Sequence, residues 1–109
     1  MNKMIRDGRV AILLSPGYGA GWSTWNYTYP ECVFDPEIVQ MVLDNKPWQE
    51  IADFAEAKYD KDDDGLGFYT GGASDLVVKW IPVGTKFRIH EYDGNESLEI
   101  KEEMDWLEA

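Results

Sequence analysis

The residues best placed to contact a ligand lie between Ser15 and Pro30, in the stretch SPGYGAGWSTWNYTYP. Gly17, Gly19 and Gly21 stand at alternate positions in this stretch, and glycine adopts backbone conformations that other residues avoid. Aromatic and small polar side chains accompany them, namely Tyr18, Trp22, Ser23, Thr24, Trp25, Asn26, Tyr27 and Tyr29. Bare backbone amides hold anions and aromatic faces stack on planar rings, so the stretch predicts a ligand-binding loop. Packing of the same aromatics into the protein's own core is the alternative.

A second candidate group lies on a predicted strand from Thr85 to Tyr92, where apolar and polar residues alternate. Arg88 and His90 fall on one face of this strand, because successive side chains point to opposite faces. They are candidates to hold the negative charge of a ligand. Glu91 falls on the other face and, if it points inward, needs a partner such as Lys79 or a tyrosine hydroxyl.

The glycine spacing does not fit the known phosphate-binding fingerprints. Trp22 stands where a dinucleotide-binding motif needs its third glycine, and no lysine–serine or lysine–threonine pair follows as in a P-loop. Asp60–Gly65 matches the first half of a calcium-binding loop, but position 12 of that loop would be Gly71 instead of glutamate. We therefore interpret Asp60–Asp64 as a solvated acidic turn, with calcium binding as the alternative, and predict no metal site or cofactor.

The sequence offers little support for catalysis, and we assign no catalytic residue. Cys32 has no neighbouring basic residue, and neither Ser15 nor Ser23 lies in a nucleophile-elbow motif. His90 is the only histidine, so one chain cannot form a histidine-based metal cluster. An enzymatic function would require His90 or a pair of carboxylates close to the glycine loop.

Charge and hydropathy exclude several classes of partner and location. The chain carries 21 acidic and 10 basic residues, with no basic cluster, so direct binding to nucleic acid or to an anionic membrane is not expected. The longest apolar run, Val10–Leu14, is far shorter than the roughly 20 residues of a membrane-spanning helix. No signal-peptide pattern occupies Met1–Asp7, and Cys32 is the lone cysteine, so we predict a cytoplasmic protein.

The elements that must position these residues follow from local patterns. Asp35, Pro36 and Glu37 are typical of a helix start, with an N-cap, a proline in the first turn and an early acid. The predicted elements are a strand Arg9–Ser15, helices from Asp35 to about Lys46 and from Pro47 to about Tyr59, strands Leu66–Thr70, Leu76–Ile81, Thr85–Tyr92 and Ser97–Lys101, and a short helix Glu102–Ala109. Asp93 and Gly94 predict a hairpin turn between the last two strands. The pattern predicts a single α+β domain over 1–109: a mostly antiparallel sheet, its strands after the helices forming a meander, with two short helices packed on one side.

Three segments carry a family resemblance: VAILLSPGYGAGWSTWN, FDPEIV and WIPVGTKFRIHEYDGNES. Together they resemble a family of small uncharacterised proteins encoded by tailed bacteriophages. No catalytic residues are attached to that family. The resemblance implies a phage protein acting in the bacterial cytoplasm, with counter-defence as an expected role.

The leading hypothesis is a non-enzymatic protein that sequesters a nucleotide-like molecule, such as a cyclic-nucleotide immune signal. Its expected ligand-binding residues are Tyr18, Gly19, Gly21, Trp22, Trp25, Asn26, Arg88 and His90. An acidic inhibitor of a host protein is the alternative, and an enzyme that degrades such a signal is the third hypothesis. Five tryptophans, six tyrosines and four phenylalanines are many for 109 residues, so we also expect a homo-oligomer with aromatics at its interface.

Overall fold

A computed structural model describes residues 1–59 and 67–100 of the chain. Its strands are β1 (Ile5–Arg6), β2 (Arg9–Leu14), β3 (Val77–Pro82), β4 (Phe87–Tyr92) and β5 (Asn95–Ile100). Its α-helices are α1 (Pro36–Leu43) and α2 (Trp48–Tyr59), and short 3₁₀ helices span Pro30–Val33 and Gly71–Asp75. The predicted α+β class is confirmed. Both Asp60–Asp64 and Glu102–Ala109 lie outside the described residues.

The middle layer is an antiparallel sheet in the order β1-β2-β3. Five of the six residues of β2 are buried, as expected of the apolar run, because β2 is covered on both faces. Ala11 and Leu13 pack into a core with Ile38 and Ile51 of the two helices. Ile12 faces the opposite way, toward Val33 and the partly buried apolar residues of β4 and β5.

All described strands pair antiparallel, as predicted, but β4 and β5 form a hairpin separate from the first sheet, so β3 does not continue into β4 as a meander of the later strands would. Beyond β3, the amide of Val83 donates to the carbonyl of Gly8 at 2.9 Å, and Gly84 adopts a φ of +87°. The chain therefore turns away from the edge of β3. The hairpin covers the second apolar face of β2, which would otherwise be exposed to water.

The helices begin where their sequence signals predict. The Asp35 carboxylate caps α1 by accepting hydrogen bonds from the amides of Glu37 and Ile38, at 3.0 and 3.2 Å. Helix α1 ends at Leu43, earlier than the predicted Lys46, and Asn45 follows with a φ of +56°. The predicted strand Leu66–Thr70 is wrong over its described part, because residues 67–70 form an irregular segment.

The first hairpin was missed by the sequence analysis. Asp7 and Gly8 join β1 to β2 with φ values of +51° and +75°, and Asp93 and Gly94 join β4 to β5 with +51° and +84°. Two central residues with positive φ are typical of the tight hairpin turn that favours Asp-Gly. The same dipeptide signal was therefore present at both positions.

Candidate functional site

The Glu96 carboxylate holds the glycine loop in place. Its side chain is only 2% exposed and accepts hydrogen bonds from the backbone amides of Ser15, Trp22 and Thr24, at 3.0, 2.8 and 3.1 Å. The Thr24 hydroxyl donates a further bond to the same carboxylate. A buried carboxylate is stable only when its oxygens are satisfied in this way. The loop amides therefore hold an anionic group, and that group is the chain's own Glu96.

Backbone contacts join the same loop to the tip of the β4–β5 hairpin. The amides of Gly19 and Gly21 donate to the carbonyls of Asp93 and Gly94, the second of these bonds measuring 2.8 Å. Because these amides are already bonded within the chain, a phosphate reaches them only by displacing the hairpin. The structure does not present Gly19 and Gly21 as the free anion donors that the sequence suggested.

Trp22 lies in the core and is not a surface residue. Its side chain is 0% exposed, its indole nitrogen donates to the carbonyl of Cys32 at 2.9 Å, and its ring packs edge-on against Phe68. Trp22 therefore packs into the protein's own core, the role that the sequence analysis gave as the alternative to ligand binding. Stacking of this indole on a bound base would require opening the core.

Trp25 and Tyr69 form the central pair of an exposed aromatic surface. Their ring centroids are 5.1 Å apart with an interplanar angle of 50°. The Trp25 ring lies against Gly21 and the Tyr69 ring against Gly71, so closely that a Cβ on either glycine would overlap the ring. Because these two glycines have no side chain, the aromatic rings pack directly against their backbone. The sequence analysis did not consider this role for glycine.

Asn26 positions this pair from below. Its side-chain nitrogen donates to the carbonyls of Trp22 and Tyr69, at 2.8 and 3.0 Å, and its oxygen accepts from the Tyr69 amide at 2.8 Å. The Tyr69 hydroxyl donates to the carbonyl of Gly19 at 2.7 Å. Asn26 is a predicted ligand contact, but its side-chain amide is hydrogen-bonded within the chain and connects the loop to the segment that carries Tyr69.

The aromatic surface consists of Tyr18, Trp25, Tyr27, Tyr69 and Tyr92, all classed as exposed in the structure. Tyr18 and Tyr27 are each 74% exposed, and Tyr18 contacts Tyr92 edge-on at 6.5 Å between ring centroids. Tyrosine and tryptophan carry large apolar faces and a polar end, and they are enriched where proteins bind partners. Tyr18 and Tyr92 form one pair at the hairpin tip, on the Arg88 side of β4, whereas Trp25 and Tyr69 form a second pair on the Glu91 side. Gly19, which is bonded to both Asp93 and Tyr69, joins the two pairs.

Arg88 and His90 lie on the other face of the hairpin from Glu91. Arg88 donates to the Glu99 carboxylate at 2.6 Å, which lowers the pKa of Glu99, and His90 stands opposite Ser97. The predicted alternation of β4 is confirmed by its burial pattern. The predicted site is therefore divided, with Trp25 on the Glu91 side and Arg88 on the opposite side.

Glu91 has a partner that the sequence analysis did not name. Its carboxylate accepts from the indole nitrogen of Trp25 at 2.9 Å and from the amide of Gly94 at 2.8 Å. These two hydrogen bonds, that from Trp25 being the stronger influence, lower the pKa of Glu91. Glu91 and Glu96 stand directly opposite each other in the hairpin, and donors from the glycine loop offset the repulsion between them.

Clefts with polar groups in their lining open at two separate places in the described part of the chain. One, of about 140 Å³, is lined by Trp25, Asn26, Tyr27, Thr28, Gly67 and Tyr69. The other, of about 350 Å³, is lined by Met1, Asn2, Glu31, Asp35, Pro36, Glu37, Lys58 and Tyr59. In the larger cleft Asp35 forms an ion pair with Lys58 at 2.8 Å and accepts a hydrogen bond from the Tyr59 hydroxyl. These polar groups of the cleft therefore hold in place the residue that caps α1.

Two chemical features of the described residues concern the Cys32 thiol and the potential metal ligands. Burial, followed by the charges of Glu96 and Glu31, raises the pKa of Cys32, so this thiol stays protonated and is a poor nucleophile. Among residues 1–59 and 67–100, no group of three potential ligands from histidine, cysteine, aspartate and glutamate is placed to hold a metal ion. No described helix is long and apolar enough to cross a membrane.

Sequence reasoning missed Glu96, Glu91 as a partner of Trp25, and Tyr69. A signal for Glu96 was present, because Glu96, Leu98 and Ile100 alternate in phase and so share the inward face of β5. No local pattern marks Tyr69, which reaches the surface through contacts with residues more than 40 positions away in sequence. No protein-family model, curated protein or solved structure matches this chain, and the phage resemblance stays a prediction.

Proposed function

We propose that this chain is a non-enzymatic binding protein that engages a partner protein through the aromatic surface. The observation that carries the proposal is the rigid presentation of exposed rings around the glycine loop. Hydrogen bonds and packing against Gly21 and Gly71 fix the side chains of Trp25 and Tyr69. Side chains already fixed in place lose little entropy on binding, so such a surface is suited to recognition.

Charge favours a basic partner. The net charge of −11 attracts cationic proteins and speeds their encounter, particularly at low salt. Glu91 places a carboxylate beside the exposed ring of Trp25. In the phage setting suggested by the resemblance, the partner would be a host protein, as in the acidic-inhibitor hypothesis.

A nucleotide-like ligand is the second candidate, and the cleft beside Trp25 and Tyr69 is the observation that favours it. The cleft volume of about 140 Å³ admits one planar ring, and stacking on an aromatic side chain is worth roughly 1–3 kcal/mol per base. The phosphates of a nucleotide would lack binding partners, which weakens this candidate. The Gly19 and Gly21 amides are already bonded to the hairpin, and Arg88 is already bonded to Glu99.

Capture from a bacterial lysate tests the proposal. The full chain should retain a stoichiometric partner, and the double variant Tyr18→Ala/Tyr92→Ala should lose it, because both rings are exposed and contact each other. Trp48→Ala, which truncates an exposed tryptophan on α2, is the matched control and should retain the partner. Capture that is unaffected by the double variant would contradict the proposal.

The same experiment separates the other candidates. Mass spectrometry of the purified chain reports a co-purifying nucleotide, which would favour the second candidate. The predicted homo-oligomer makes a second copy of this chain another possible partner. Light scattering at high micromolar concentration then gives a mass above the 12.5 kDa of one chain, and the Tyr18→Ala/Tyr92→Ala variant should reduce it.

A further inference from the structure

We propose that the cleft between Trp25, Tyr27 and Tyr69 binds the guanidinium group of an arginine side chain carried by a basic partner protein. The inference rests on the proposed function, since it names the group that the aromatic surface recognises. At about 140 Å³ the cleft is smaller than the roughly 300–1,000 Å³ of pockets that enclose drug-sized ligands. It therefore fits the end of one side chain better than a whole nucleotide.

The electrostatics of the cleft favour a cation. Aromatic faces carry negative partial charge, and Trp25, Tyr27 and Tyr69 are three of the six described residues that line the cleft. The Glu91 carboxylate, bonded to the indole nitrogen of Trp25 at 2.9 Å, adds a full negative charge at the edge of that ring. Among residues 1–59 and 67–100, no lysine, arginine or histidine that would repel an incoming cation lines the cleft.

A guanidinium fits this geometry better than an ammonium group. It is planar, it is weakly hydrated, and it stacks on aromatic rings as well as attracting their faces. The Trp25 and Tyr69 rings contact each other with a tilt of 50°, and both line the cleft together with Tyr27. A flat cation stacks on the aromatic surface that faces the cleft, while its N–H groups remain free to bond at the edges.

The cleft is formed before any ligand arrives. Asn26 links the loop to the Tyr69 segment through two hydrogen bonds, and the Tyr69 hydroxyl is bonded to Gly19. Gly21 and Gly71 support the two rings from behind. The free energy of binding is therefore not spent on ordering the rings.

A titration followed by nuclear magnetic resonance tests the inference. The ¹⁵N-labelled full chain is titrated with a capped Gly-Arg-Gly peptide and with the same peptide carrying citrulline, which keeps the planar shape but has no charge. The indole N–H resonance of Trp25, identified from the spectrum of Trp25→Phe, should shift with the arginine peptide. The citrulline peptide should bind at least about threefold more weakly, the factor expected for an exposed cation–π contact.

Variants make the test specific. Tyr27→Leu, at a highly exposed position, and Glu91→Gln, which removes charge but keeps an acceptor for the indole, should both weaken binding of the arginine peptide. Glu91→Gln should leave binding of the citrulline peptide unchanged. Trp48→Leu is the control and should bind both peptides as the unmodified chain does.

Three results would overturn the inference: equal binding of the two peptides, no Trp25 shift with either at 20 mM peptide, or a larger Trp25 shift with adenosine monophosphate. None of these results bears on capture of a protein through Tyr18 and Tyr92. If the double variant of those residues loses a captured partner while both peptides bind equally, only the guanidinium assignment fails. If the Tyr18→Ala/Tyr92→Ala variant captures the partner as well as the unmodified chain does, the proposed function itself is wrong.

Discussion

At the scale of single residues, Glu96 decides how the glycine loop is used. The loop has the composition of an anion-binding segment, and its amides do bind a carboxylate, but the carboxylate comes from β5. The aromatics are consequently sorted into two groups. Trp22 turns into the core, whereas Trp25 remains on the surface with its indole nitrogen bonded to Glu91.

Replacing Glu96 by glutamine should destabilise the fold strongly. The substitution turns one acceptor oxygen into an amino group that faces the donors of Ser15, Trp22 and Thr24. Loss of charge-assisted bonds at a site that is 2% exposed should lower the free energy of unfolding by about 2–4 kcal/mol. Urea denaturation followed by tryptophan fluorescence measures the change.

The matched control is Glu99→Gln on the same strand. Glu99 pairs with Arg88, whose side chain is largely exposed, and such surface pairs contribute about 0–1 kcal/mol. Equal stability losses for Glu96→Gln and Glu99→Gln would show that the buried hydrogen bonds of Glu96 do not hold the loop.

At the scale of elements, the two Asp-Gly hairpins have the same local geometry but different surroundings. A Cβ on Gly8 would meet no atom within 4 Å, whereas a Cβ on Gly94 would lie 2.8 Å from the Ala20 nitrogen. The β1–β2 turn is thus free on this side, and the β4–β5 turn is pressed against the glycine loop. The second turn therefore also joins two layers of the fold.

Gly94→Ala should consequently be more harmful than Gly8→Ala. Both changes place alanine at a positive φ, which costs about 1 kcal/mol, and only Gly94→Ala also forces the hairpin away from the loop. We expect an additional loss of about 1–3 kcal/mol of unfolding free energy for Gly94→Ala. Thermal denaturation of the two variants side by side measures the difference, and equal melting temperatures would contradict the described contact.

At the scale of the whole molecule, β2 is the strand around which the layers assemble. Its residues Ala11 and Leu13 face the helices, and Ile12 faces the hairpin. Cys32 and Tyr59 lie in the core on the helix side. Burial raises the pKa of both groups, and for Tyr59 the hydrogen bond to Asp35 adds to the effect.

These raised pKa values predict that stability falls in alkali. An unfolded chain releases the thiol proton near pH 9.0 and the phenol proton near pH 10.0, whereas the folded chain retains both. Their contribution is therefore fully present below those values and is lost as pH rises above about 9, with a slope of up to about 1.4 kcal/mol per pH unit for each group. Urea denaturation between pH 7 and 11 measures the slope.

Cys32→Ala should make that slope shallower by up to about 1.4 kcal/mol per pH unit, because it removes one titrating group. Packing loss shifts the whole curve and leaves its slope unchanged. Val33→Ala, a neighbouring core truncation without a titratable side chain, should keep the original slope. A Cys32→Ala slope identical to that of the unmodified chain would contradict the predicted linkage.

The sequence by itself determined the elements whose signals are local. The apolar run of β2, the Asp35 cap with Pro36, and the Asp93-Gly94 turn each act within a few residues, so their patterns predict the structure that forms. Because these patterns are local, they also predict the α+β class and mark the glycine loop as a candidate functional segment. The alternation that separates Arg88 from Glu91 is equally a property of one strand.

The tertiary structure alone decided which atoms of that segment remain available. Glu96 lies 72 or more positions from the amides that it binds, and Tyr69 lies 43 positions from Asn26. Whether a bare amide meets a phosphate or a carboxylate, and whether a tryptophan is buried or exposed, depends on such distant pairings. No local pattern encodes them, because they arise only when the hairpin packs across the second face of β2 and brings its tip onto the loop.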